Sequence, residues 1–222
     1  MTVSTEAAAE RLGVSRRQVQ RLITSGELPA QRTAGDAWLV DALALNALTR
    51  GRPVRGRPWA EATAWAALWQ LSGPDATWLE PRAAARLTAR LEHMSPDMLA
   101  HACRRRAAAH RFRASESFLD ALRERVVLTG PSATSVADFD MDADSRRVDG
   151  YCSHSSLDDL IAQFHLATDE HGNVTLRVVE TRADLLLDRR AMPIAVVAAD
   201  LLESNEPRER AAGLRVLERL LR

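Results

Sequence analysis

Residues 5–23, TEAAAERLGVSRRQVQRLI, have the pattern of a helix-turn-helix. Ala8 and Leu12 lie four residues apart and would give the first helix an apolar face. Gly13 favours a turn because glycine adopts positive φ without steric cost. Ser15 is the expected N-cap of the second helix, since its side chain can accept an otherwise unpaired backbone N–H. The spacing therefore predicts two short helices joined by a tight turn.

The second predicted helix has two different faces. At about 100° per residue, Val19, Leu22 and Ile23 share one side, which predicts packing against the first helix. The other side carries Arg16, Arg17, Gln20, Arg21 and Thr24. Arginine and glutamine side chains can reach guanine, adenine and phosphate in a major groove. We therefore predict a DNA-binding surface on this helix, comprising Ser15, Arg16, Arg17, Gln20 and Arg21. A solvated basic surface is the alternative.

Two short extended segments follow, the first ending at Arg32 and the second containing Trp38, with Gly35 in the turn between them. They predict a wing, with Arg32 at its base near phosphates or a minor groove. The stretch STEAAAERLGVSRRQVQRLITSGELPA with the later G-x-x-W-x-V order resembles the excisionase-like, MerR-related winged helix-turn-helix. The resemblance covers about residues 2–48 and implies binding to double-stranded DNA.

The chain is expected to have a DNA-binding head, a linker and two further regions. The head is predicted at residues 1–49, and an Arg/Gly/Pro linker at 50–58, where glycine and proline break regular structure. Helical periodicity predicts a helix-rich middle region over 59–131. The rest, 132–222, is predicted to be a small α/β region with a β-hairpin over 164–180. The predicted fold class is α+β, mostly helical.

Composition narrows the class of protein. The 222 residues are 46% hydrophobic and 27% charged, and all 30 basic residues other than histidine are arginine. This balance is that of a globular chain. Two cysteines are too few for a disulfide framework or a cysteine-ligated zinc site. No stretch of 18 apolar residues and no N-terminal apolar core are present, so we expect a cytoplasmic protein without membrane contact.

The charge is unevenly distributed along the chain. Residues 1–125 contain 19 arginines and 13 acidic residues, a net charge of +6, whereas residues 126–222 contain 11 and 17, a net charge of −6. A basic front half and an acidic back half are easier to explain with two different partners than with one. Two separately solvated surfaces are the alternative.

The remainder of the chain resembles actinobacterial proteins related to the abortive-infection AbiEi antitoxins. The stretches that carry this resemblance are LTGPSA at 128–133 and DLLES-x-x-PRERAAG at 200–213. The resemblance implies an autorepressing transcriptional regulator whose C-terminal region binds a toxin protein. It identifies no partner-binding residue. The sequence leaves open whether the protein forms a homodimer.

The sequence has features of two other classes of protein. A protein with an excisionase-like head could be an architectural DNA-binding protein, but the long region after the linker favours a regulator. Gly130 and Ser132 followed by Asp138 and Asp140 faintly resemble a nucleotidyltransferase pattern, in which two carboxylates hold Mg²⁺. Pro131 interrupts that glycine turn and the spacing is short. We predict no enzyme activity, no catalytic or metal site and no cofactor. Whether the acidic segment at 138–149 binds a metal is left open.

Overall fold

The computed structural model describes residues 2–33, 37–42, 44–45, 57–73, 76–134 and 138–222. The chain forms two compact units, a head at Met1–Arg55 and a body at Gly56–Arg222. Helices and strands occur in both, so the predicted α+β class is confirmed. Of the predicted linker at 50–58, only Arg57 and Pro58 fall within the described residues.

Among the described elements of the head, two helices lie beside a small sheet. These elements are, in order, β1 (Thr2–Ser4), α1 (Thr5–Leu12), α2 (Arg16–Thr24), β2 (Ala30–Arg32) and β3 (Trp38–Asp41). The three strands are antiparallel, in the order β1-β3-β2. Ala8, Leu12, Val19, Leu28 and Val40 are buried in one apolar core. This core holds α1 and α2 against the sheet.

The body is built from helices around a second sheet. Its helices are α3 (Glu61–Leu71), α4 (Pro81–Leu91), α5 (Pro96–Cys103), α6 (Glu116–Arg123), α7 (His154–Gln163), α8 (Ala183–Leu186), α9 (Ile194–Leu202) and α10 (Pro207–Leu220). Its strands are β4 (Ala108–Arg113), β5 (Val127–Leu128), β6 (Val148–Ser153), β7 (Ala167–Thr168) and β8 (Val174–Val179), with a 3-10 turn at Gly130–Ser132. The sheet order is β5-β6-β8-β4-β7, and β6 and β8 are parallel.

The two faces of the body sheet bury different side chains. On one face, Val148, Cys152 and Leu176 pack in an apolar core with residues of α6 and α7. On the other face, Tyr151 packs with residues of α3 and α9 in a second core. Successive residues of a strand point to opposite faces. Asp149, which is two residues from Tyr151, therefore also faces α9.

The predicted hairpin over 164–180 is wrong. β7 pairs with β4 rather than with β8, and β4 lies between them in the sheet. The end of β4 is held there by the Asn173 side chain, which accepts from the Ala114 backbone N–H at 2.9 Å and donates to its carbonyl oxygen at 3.1 Å. At Gly172 a Cβ atom would lie only 1.9 Å from the carbonyl oxygen of Phe112. A glycine is thus required where this turn crosses β4.

Candidate nucleic-acid interface

Local hydrogen bonds fix the turn between α1 and α2. α1 ends at Gly13, whose φ of 60° lies in the left-handed region that glycine adopts most easily. The backbone N–H of Val14 donates to the carbonyl oxygen of Ala9 at 3.0 Å. The Ser15 hydroxyl oxygen accepts from the backbone N–H of Gln18 at 3.3 Å and caps α2. The predicted glycine turn and serine cap are therefore confirmed.

α2 presents a basic face to solvent. Val19 is fully buried, and Leu22 and Ile23 are partly buried against the core of the head. The residues opposite them are all exposed, and we call them the recognition face: Arg16, Arg17, Gln20, Arg21 and Thr24. Among the described residues, no acidic side chain forms an ion pair with any arginine of this face.

The electrostatics of α2 favour an anionic ligand. Arg16 and Arg17 lie in its first turn, which has no acidic residue. The N-terminus of a helix already carries a partial positive charge, so two arginines there repel it and each other. The Ser15 oxygen is used in the cap, but its O–H remains a hydrogen-bond donor. An anion beside this turn would remove the repulsion and accept from these donors.

Arg32 lies at the end of β2, opposite Trp38 in the β2–β3 register. Its guanidinium carbon is 5.2 Å from the centroid of the Trp38 ring, within the range of a cation–π contact. The strand pair is closed by a hydrogen bond from the Thr33 backbone N–H to the Ala37 carbonyl oxygen at 2.9 Å. The predicted wing tip at 34–36 falls outside the described residues.

The acidic residues considered for a metal site do not converge. Asp138 and Asp140 are exposed, and Asp138 pairs with Arg219 at 2.9 Å. Asp149 is buried and pairs instead with Arg177 at 3.0 Å. Within the part of the chain that the structure describes, no group of three or more histidine, cysteine, aspartate or glutamate side chains could hold a metal ion.

The body contains a group of charges that sequence reasoning missed, all buried except Glu203, whose side chain is 35% exposed. We call it the ion cluster: Arg106, Asp149, Tyr151, Arg177, Asp200 and Glu203. Asp200 accepts from Tyr151 Oη at 3.0 Å and pairs with Arg106 and, at 3.2 Å, with Arg177. Arg177 also donates to Asp149 at 3.0 Å and to Glu203 at 2.6 Å. Each buried charge therefore has an opposite charge in contact.

Burial sets the electrostatics of this cluster. It raises the pKa of the Asp149 carboxyl, although the Arg177 guanidinium acts in the opposite direction. Burial also acts to raise the pKa of Glu203, but Arg106 and Arg177 outweigh it and hold that pKa below its ordinary value. A cavity of about 380 Å³ borders the cluster, and Asp149, Arg177 and Asp200 are among its lining residues. Since the charges satisfy one another, we assign the cluster a structural role.

One sequence pattern is related to the ion cluster. Asp149 and Tyr151 alternate along β6, and Thr175 and Arg177 occupy paired positions along β8. Such alternation of polar with apolar residues is what a strand with one solvated face also produces. Only the packing of α9, which supplies Asp200, distinguishes the two cases.

Comparison with known proteins concerns the head alone. A family model described as a helix-turn-helix domain matches residues 2–53. No curated protein and no solved structure matches the chain. Among the described residues, no helix is long and apolar enough to cross a membrane. The matched residues include α1, the turn and α2, so the comparison and the geometry agree that the head is a helix-turn-helix and support a DNA-binding role for it.

Proposed function

We propose that the protein is a transcriptional regulator that binds double-stranded operator DNA through α2. The recognition face carries this proposal, because it is exposed, basic and backed by a buried apolar face. Arg17 and Gln20 lie three residues apart in the N-terminal half of α2, and the N-terminal side chains of a recognition helix contact base edges. Arg16, Arg21 and the Ser15 hydroxyl flank them and would contact phosphates.

The β2–β3 pair would act as the wing of this domain. Its support is the position of Arg32 at the strand end, with its guanidinium held over Trp38. A guanidinium restrained in this way loses less freedom on binding a phosphate than a fully mobile one. We propose that Arg32 contacts the DNA backbone or the adjacent minor groove.

The finer proposal is an antitoxin-like autorepressor whose C-terminal region binds a toxin protein. The LTGPSA and PRERAAG stretches support it by resemblance, and the exposed carboxylates of Asp140 and Asp142 could steer a basic partner. Affinity purification of the full chain from its native operon tests it, with an Asp140→Asn/Asp142→Asn variant for comparison. If no toxin-like protein is retained by the wild-type chain, the antitoxin role is wrong.

The DNA-binding proposal is tested by fluorescence anisotropy on the promoter of the protein's own gene. Arg17→Ala should weaken specific binding by about 1–3 kcal/mol, roughly 5- to 150-fold, if the arginine pairs with a base edge. Binding to a scrambled duplex should change much less. Arg215→Ala, at an exposed position of α10, is the matched control and should bind as the wild type.

If Arg17→Ala no longer prefers the promoter to the scrambled duplex, Arg17 contacts a base edge. Unchanged binding of an Arg16→Ala/Arg17→Ala variant would show that α2 is not the reader. DNase I footprinting on the same promoter tests whether the protein binds as a homodimer, because a dimer protects two symmetry-related half-sites about one helical turn apart.

A further inference from the structure

The body carries a second group of exposed arginines, on α4. Arg82, Arg86 and Arg90 are spaced four residues apart, so they form one stripe along the helix. All three are exposed, and α4 has the sequence PRAAARLTARL without an acidic residue. Successive arginines of the stripe are about 6 Å apart along the helix axis.

The stripe ends at a groove with more arginines. Arg57, Arg90 and Arg105 line a cavity of about 680 Å³, together with Trp59 and Glu61. The Arg90 guanidinium lies 4.8 Å from the centroid of the Trp59 ring, which orients it. Glu61, the one acidic residue of this lining, accepts from the backbone N–H of Thr181 at 3.3 Å. The groove therefore has an excess of positive charge.

These arginines differ from others in the body. Arg113, Arg123 and Arg147 each pair with an acidic side chain at 3.0 Å or less. We call the remaining group the arginine surface: Arg57, Arg82, Arg86, Arg90 and Arg105. Within the described part of the chain, none of these arginines pairs with an acidic side chain. Like charges held near one another repel, and an anionic ligand would offset that repulsion.

We propose that the arginine surface binds the phosphate backbone of the DNA held by the head. This proposal rests on the proposed function, in which the head binds DNA. A row of exposed guanidinium groups suits a polymer with regularly repeated phosphates. The surface also begins at Arg57, only twelve residues after Leu45 of the head. DNA bound by the head is consequently at a high effective concentration for it. The contact adds affinity without sequence preference.

The test uses the full chain, with Arg86→Ala/Arg105→Ala as the variant. Both positions are exposed, and Arg90 is kept because it packs on Trp59. Anisotropy titrations between 50 and 200 mM NaCl, on the promoter and on an unrelated duplex, give the slope of log K against log salt. Each lost phosphate contact should reduce that slope by about 0.9, so the double variant should lose about 2. Affinity should fall by the same factor on both duplexes.

Arg208→Ala/Arg215→Ala, two exposed positions of α10, is the matched control and should keep the wild-type slope. An unchanged slope for Arg86→Ala/Arg105→Ala would overturn the proposal. If this variant instead self-associates more weakly than the wild type in sedimentation, the surface binds an acidic segment of a second copy, and the proposal is likewise wrong. This failure is distinguishable from failure of the proposed function, in which Arg17→Ala has no effect. If the wild-type chain binds no duplex, both are wrong.

Discussion

Replacing Asp200 with alanine should destabilise the body more than removing any exposed charge. The Asp200 side chain is fully buried on α9 and lies at the centre of the ion cluster. It accepts hydrogen bonds from the hydroxyls of Tyr151 and Thr129 and pairs with two buried arginines, Arg106 and Arg177. The substitution leaves these groups in place without their shared acceptor.

The magnitude follows from the partners that remain. Removing one member of a buried ion pair costs about 3–5 kcal/mol. Arg106 keeps Glu203 at 2.9 Å and Arg177 keeps Asp149 at 3.0 Å, which places the ionic part near 3 kcal/mol. The hydroxyls of Tyr151 and Thr129 lose an acceptor, which adds about 1 kcal/mol. We expect a loss of about 4 kcal/mol, or a fall in Tm of roughly 8–16 °C for a unit of this size.

Urea unfolding followed by tryptophan fluorescence measures this loss, because the Trp65 ring is 5.2 Å from that of Tyr151. Asp200→Asn should give an intermediate loss, since it keeps an oxygen acceptor but not the charge. Asp159→Ala, an exposed site on α7, is the control and should change stability by less than about 0.5 kcal/mol. A loss below about 1 kcal/mol for Asp200→Ala would refute the reasoning, because the arginines would then be satisfied without it.

Two further predictions concern the body. Gly213→Ala should destabilise the body by about 1–3 kcal/mol despite the better helix propensity of alanine, because the added Cβ would lie 2.5 Å from the Ala198 carbonyl oxygen. Thermal unfolding checks this, with Arg215→Ala as the control variant. Burial raises the pKa of Cys103 to about 12 and that of Cys152 to about 11 from an ordinary 9.0, so the native thiols should resist Ellman's reagent at pH 8. The unfolded thiols lose their protons above about pH 9 while the native thiols keep theirs to about pH 11, so stability should fall by about 1.4 kcal/mol per pH unit for each thiol. Between about pH 9 and 10, below the range in which the raised pKa of the buried Tyr151 also contributes, Cys103→Ala should halve this slope in urea titrations.

The head could be predicted because its signals are local. Gly13 ends α1 and Ser15 caps α2 through hydrogen bonds within four residues along the chain. The spacing of Val19, Leu22 and Ile23 fixes which side of α2 packs on the core. The opposite face then follows from helical geometry alone.

The body depends on contacts between distant parts of the sequence, and there local patterns failed. β8 alternates as a hairpin strand would, yet its neighbours are β6 and β4. Arg177 on β8 has the pattern of a solvated residue, yet it is 7% exposed because α9 covers it. Its counter-charge Asp200 is 23 residues away in sequence, so no local window could pair the two.

The structure changes the interpretation of the opposite net charges of residues 1–125 and 126–222. Arg106 of the basic half is neutralised inside the body by Asp200 and Glu203 of the acidic half. Asp200 is fully buried, so part of the negative excess of residues 126–222 is interior and is offset by a basic residue of the other half. The arginines of the recognition face and of α4 have no such compensation among the described residues. The case for a polyanionic partner is therefore strengthened by the structure, whereas a basic partner must be attracted by the smaller set of acids that remain exposed.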